Sequence, residues 1–203
     1  MAKSNIAMLI QRWGGGKHLL TAGHPDFPWF FAIDTFLSAR GGAMYTGEWR
    51  AVADTLRFLA SRSSGGRIPH EVVTNGVVYN SGDLEESALF PAVVAEASMW
   101  RRSWRLFSEL SDTVGRSVRY VWETGLTGRG GIMEDQDRGG SGIDIDTVCF
   151  FTRSLELLLT VPEGVLGATG LGGREEVGGR CSGLPGVCSR PSGSRKLAHT
   201  PTG

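Results

Sequence analysis

The sequence predicts an all-α chain with one extended interruption and a structureless tail. Three observations carry this. Apolar residues recur at steps of three and four through several long segments. Between Gly65 and Asp83 the period drops towards two, around the hairpin dipeptide Asn75-Gly76. Near Thr160 the composition changes abruptly to Gly, Ser, Pro and Arg without aromatic residues.

In chain order, a short helix is expected from Ile6 to Trp13. "GGGKH", Gly14 to His18, then reads as a flexible helix-to-loop joint. It is no phosphate loop, because the spacing is wrong and His18 stands where Ser or Thr is needed. "HPDFPWFFAIDTFLSARGG" is a loop stiffened by Pro25 and Pro28 that runs into a helix near Asp34. In "TGEWRAVADTLRFLASRS", Trp49, Val52, Ala53, Leu56 and Leu59 share one face, Thr46 is placed to cap, and Glu48 lies in the first turn. "GGRIPHEVVTNGVVYNSGD" is the extended hairpin. In "SALFPAVVAEASMW", Pro91 lacks an amide proton, so this helix should begin close to Ser87. Trp104, Phe107, Leu110, Val114, Val118 and Val121 line the next helix, which Gly115 weakens by about 1 kcal/mol relative to Ala. Asp146 can cap a last helix whose inner face is Val148, Phe151, Leu155 and Leu158, with Pro162 beyond its end. Residues 1–160 therefore form the body. Residues 161–203 are expected to be disordered, since they cannot bury enough apolar surface to offset their ordering entropy. A shifted reading frame or misplaced gene end would produce such a change.

The totals exclude some roles. Acidic and basic residues balance at 21 each over 203 residues, so no net field steers nucleic acid or an anionic membrane. Arg101, Arg102 and Arg105 read as a solvated helix face. The apolar patch Ile6 to Ile10 is too short for a signal core or a membrane span, and nothing longer approaches one. Cys149, Cys181 and Cys188 are odd in number and make no disulfide framework, which suggests a reducing, cytoplasmic setting.

"HEVVT" at His70 opens like a zinc helix, but Thr74 replaces the second histidine, so no metal site of that type is expected. Asp135, Asp137, Gly140 and Asp146 half-match a calcium loop, with Gly139 and Ile143 at positions that need oxygen ligands. No cofactor motif is found. The aromatic run Phe27, Trp29, Phe30 and Phe31 before Asp34 has two readings. It is core around a helix whose cap is Asp34, or it walls an apolar pocket in which desolvation raises the pKa of that acid. Aromatic faces of that kind suit sugar rings.

"AGHPDFPWFFAIDTFLSARGG", "GGRIPHEVVTNGVVYNSGD" and "GIMEDQDRGGSGIDIDTVCFFTRSLELL", in this order, resemble the bacterial and archaeal amylo-α-1,6-glucosidase, or glycogen-debranching, family over roughly Ile6 to Leu159. The resemblance implies a partial (α/α)6 barrel, about half of the toroid, and inverting hydrolysis of α-1,6 or other α-glucosidic bonds. Inversion needs two carboxyls about 6.5–9.5 Å apart. Carried onto this sequence, Asp34 is the general acid, although the Gly-Arg common before it is Ala32-Ile33 here. Trp29, Phe30 and Phe31 are the apolar wall, and His70, Glu71 and Tyr79 line the sugar site. Glu134 and Asp135 form a second rim. The implied partner is an α-glucan oligosaccharide or polysaccharide, and neither nucleic acid nor membrane. No block matches the family's catalytic base, which lies in the second half of the barrel. The chain is therefore expected to be weakly active or inactive alone, and to self-associate through an exposed half-barrel surface. A carbohydrate-binding half-barrel without chemistry and a calcium-dependent interaction domain are the alternatives.

Overall fold

A computed structural model describes residues 2–125 and 145–184. Helices dominate, and two small antiparallel sheets accompany them. The chain opens with α1 (Ala2–Met8), then β1 (Ile10–Trp13) and β2 (Lys17–Leu20). The expected helix from Ile6 to Trp13 is thus corrected. Ile10 faces Leu20 and Trp13 faces Lys17 across a hairpin. Gly15 and Gly16, with φ of 74° and 76°, make the turn rather than a loose joint. Residues with a side chain rarely adopt that conformation, so the glycine run is what lets β2 fold back. Leu19 and Leu20 are fully buried.

β3 (Phe30–Phe31) leads directly into α2 (Ala32–Ser38), a π-helical turn (Ala39–Ala43) and α3 (Met44–Thr46), which Gly47 ends in the left-handed region. Asp34 lies in the first turn of α2, where its charge favours the helix dipole. The N-cap position belongs to Phe31. α4 (Trp49–Ser61) follows, and Thr46 does not cap it: its hydroxyl donates back to the carbonyls of Gly42 and Ala43 at 3.0 and 3.3 Å. β4 (Glu71–Val72) and β5 (Val78–Asn80) form the expected hairpin, and Asn75 accepts the Val77 amide at 3.0 Å. The sequence did not reveal that β3 adds to it, so the sheet order is β3-β4-β5.

α5 (Leu84–Trp100) is buried on nearly every side and packs most heavily against α7 (Ile145–Leu158) and α6 (Arg105–Gly125). It begins at Leu84, not Ser87, because Asp83 and Glu86 form a capping box that starts the helix one turn earlier. Pro91 therefore sits inside it. The interruption is repaired from outside: the Ala92 amide donates to Ser154 Oγ at 3.0 Å, and the Ser154 hydroxyl donates to the Ala88 carbonyl. A side chain of α7 thus stands in for one rung of the α5 ladder. On α6, Phe107, Leu110, Val114, Val118 and Val121 are buried as expected, as are Phe151, Leu155 and Leu158 on α7.

Residues 161–184 are not disordered. They form α8 (Glu163–Leu166), a 3-10 turn (Gly167–Thr169) and α9 (Arg174–Ser182). Val161, Leu166, Leu171, Val177, Cys181 and Leu184 join the core, each no more than 3 % exposed. Gly115 provides the seat: a Cβ there would lie 1.9 Å from the Thr169 carbonyl oxygen. A sparse apolar pattern suffices because the receiving groove is already built. Residues 185–203, with Cys188, lie outside the described residues. No helix among the described residues is long and apolar enough to cross a membrane.

Candidate functional site

The sheet β3-β4-β5 sorts the aromatic run. Phe30 and Val72 are paired and both fully buried. The Phe30 ring packs edge-on against Trp13 and Phe58 at 5.2 and 5.1 Å between centroids. Its expected place in a sugar-binding wall is thus corrected: strand alternation turns it into the core. Phe31 points the other way and joins an aromatic platform. Trp29 stacks on Phe31 at 6.4 Å with a 15° interplanar angle, Phe27 meets Phe31 edge-on at 6.2 Å, and Tyr79 lies 6.1 Å from Trp29. Phe27 is 61 %, Trp29 36 % and Tyr79 74 % exposed. Water-facing aromatics collected on one surface are unusual unless something else covers them. The loop beneath is tied down by the amides of Ala22 and Gly23, which donate to the Trp29 and Phe27 carbonyls at 3.1 and 2.9 Å.

His70 borders the platform, its ring edge-on to Phe31 at 5.6 Å. The Ala32 amide donates to its carbonyl at 2.8 Å, which links the hairpin to the start of α2. Its Nδ1 is hydrogen-bonded to the fully buried Glu86, whose other oxygen accepts the Asp83 amide at 3.0 Å. The Glu86 hydrogen bond raises the His70 pKa above the ordinary imidazole value. Burial opposes this, and the charges of Glu86, Glu85 and Asp34 reinforce it. The sequence reading missed Glu85 and Glu86. The Asp83-x-x-Glu86 capping box was the signal that would have found them.

Asp34, expected in an apolar pocket, is exposed. It faces solvent because the third position of α2 lies on the helix side away from Phe36 and the core. Its charge favours the protonated form of His70. Glu71 is the cross-strand partner of Phe31, yet only 7 % of it is exposed, so it is covered rather than open to a ligand. Glu134, Asp135 and all of the half-matched calcium loop before Ile145 lie outside the described residues. The structure therefore brings together Trp29, Phe31, Tyr79, His70 and Asp34, and removes Phe30.

His70, Glu85 and Glu86 are the described residues best placed to hold a cation, with ligating atoms within 4.8 Å of one another. Two of the three already satisfy each other, and the pair sits at the positive end of α5, which disfavours a cation.

Trp29, Phe31 and Tyr79, with His70 and Asp34 at their edge, thus form an open surface rather than an enclosed pocket. Compared with known proteins, the chain matches no family model, no curated protein and no solved structure.

Proposed function

We propose that the chain recognises α-glucan through the Trp29–Phe31–Tyr79 platform, as the first half of an (α/α)6 debranching-type glycoside hydrolase barrel. Asp34 is the acid of the catalytic pair in this reading. The observation that carries it is the platform itself: sugar rings pack their C–H faces on exposed aromatic rings, and His70 and Asp34 supply polar contacts at its edge. The half-barrel reading is supported by the α5–α6 pair, packed helices joined by a link of four residues.

Hydrolysis by inversion needs a second carboxyl across the sugar from Asp34. No residue is assigned to that role, and the proposed activity of the chain alone is binding with little turnover. Leu37, Tyr45, Met99 and Trp100, each at least 41 % exposed, form the apolar face through which it would self-associate.

Calorimetric titration with maltoheptaose tests the reading. Binding is expected, with a loss of about tenfold or more in Trp29→Ala and little change in Asp34→Asn. Absence of maltoheptaose binding at millimolar concentration overturns it. Glucose release from a branched dextrin that Asp34→Asn abolishes would overturn the inactivity and support the acid assignment.

A further inference from the structure

Away from the platform, α4, the end of α5 and the start of α6 enclose a cleft of about 500 Å³. Arg50, Arg57, Arg101 and Arg105 line it, with Ser103 and Trp49, and no lining residue is acidic. Two carboxylates at its border are already engaged. Glu109 takes a bidentate pair of hydrogen bonds from Arg57 at 2.8 and 2.9 Å. Asp54 faces Arg50 at 3.6 Å and Arg57 at 3.5 Å, and accepts the His18 amide at 3.0 Å. Glu109 is held below the usual carboxylate range, chiefly by its hydrogen bond with Arg57 and less by the charge of Arg105.

Four cations against two anions leave an excess of positive charge. Among the described residues no carboxylate lies within ion-pair distance of Arg101 or Arg105. The Arg101 guanidinium stands 5.8 Å from the centre of the Trp49 ring. The backbone adds to the excess. α4 and α6 both start at this cleft and neither has an acidic residue in its first turn; Glu48 is the N-cap residue of α4 rather than part of its first turn, and makes no side-chain cap hydrogen bond. Arg50 and Arg105, in the first turns of α4 and α6, oppose those helix dipoles, whereas Arg101 at the C-cap of α5 does not, and the clustered cations repel one another. An anion placed among them removes that repulsion.

The donor set suggests which anion. Guanidinium forks match tetrahedral oxyanions bidentately, and the Ser103 hydroxyl offers one more donor. The rest of the lining is apolar, from Val52, Ala53 and Leu106. A cleft of this size with an apolar floor suits a compact molecule better than an extended polyanion, which tracks along a groove.

We propose that this cleft binds the phosphate group of a small phosphomonoester, with Arg101 and Arg105 as its principal partners. The site is independent of the glucan surface. The test is calorimetric titration with inorganic phosphate and phenyl phosphate, against sodium chloride at matched ionic strength. Both phosphates should bind, phenyl phosphate more tightly, and R101A/R105A should weaken both about tenfold or more. R101K/R105K, which keeps the charge but loses the planar fork, should fall between, and Trp29→Ala should bind normally. No binding beyond that of chloride, or equal affinity in R101A/R105A, overturns the proposal. So does single-stranded DNA binding tenfold more tightly than phenyl phosphate. The wild-type titration decides the matter even if a variant fails to fold.

Discussion

Phe30 and Phe31 are adjacent in the chain and belong to different regions of the molecule. Phe30 is fully buried against Trp13 and Phe58, whereas Phe31 sits among exposed rings beside His70. The two-residue strand β3 divides the core from the platform, and the division comes from backbone alternation rather than composition. An aromatic-rich stretch need not choose between core and surface when a strand can present it to both sides.

The largest test of that division is Phe30→Ala. It should cost about 3–5 kcal/mol in denaturant unfolding, whereas Phe31→Ala should cost about 1 kcal/mol or less and lose its effect mainly in glucan binding. Equal losses would mean the two rings share one environment. Gly115→Ala comes next, at about 1–3 kcal/mol, because the new methyl meets the Thr169 carbonyl, which is backbone and cannot step aside cheaply. Its mark should be faster amide exchange through residues 161–184 while β3-β4-β5 stays protected. Uniform acceleration would show that the C-terminal helices and the platform unfold as one unit. Ser154→Ala should cost about 1–2 kcal/mol by leaving the Ala92 amide and Ala88 carbonyl unpaired inside α5.

The smallest effect concerns pH. The folded pKa of His70 is raised above its unfolded value near 6.5. Protonated His70 therefore stabilises the fold fully below that value, and the contribution disappears as pH rises through the folded pKa. Thermal midpoints measured from pH 6 upward should decline over this window, and His70→Gln should flatten the decline. A slope unchanged in that variant would assign it to another group.

Helix faces are legible wherever one side packs on a core. Phe151, Leu155 and Leu158 declare themselves by spacing, and Asn75-Gly76 declares its hairpin by turn chemistry. What escapes is long-range. Nothing local to Phe30 says that Glu71 and Val72 will pair beside it. Pro91 reads as a helix boundary because Ser154, which repairs the helix, is 62 residues from the Ala92 amide it receives. Residues 161–184 look too polar to fold because their stability depends on a notch at Gly115. Of the site, Trp29, Tyr79 and His70 are legible as types, but the exposure of Asp34 depends on which side of α2 meets the core.

The Ser154 stitch also bears on the order of assembly. α5 cannot complete its own ladder from its own residues, so the stretch around Pro91 remains one rung short until α7 arrives. α7 is made later in synthesis, and the hydroxyl that finishes α5 comes with it. Because one oxygen must meet both Ala88 and Ala92, α7 can dock at only one height along α5. A single serine thereby serves as an alignment pin that sets the relative level of two helices no local signal connects.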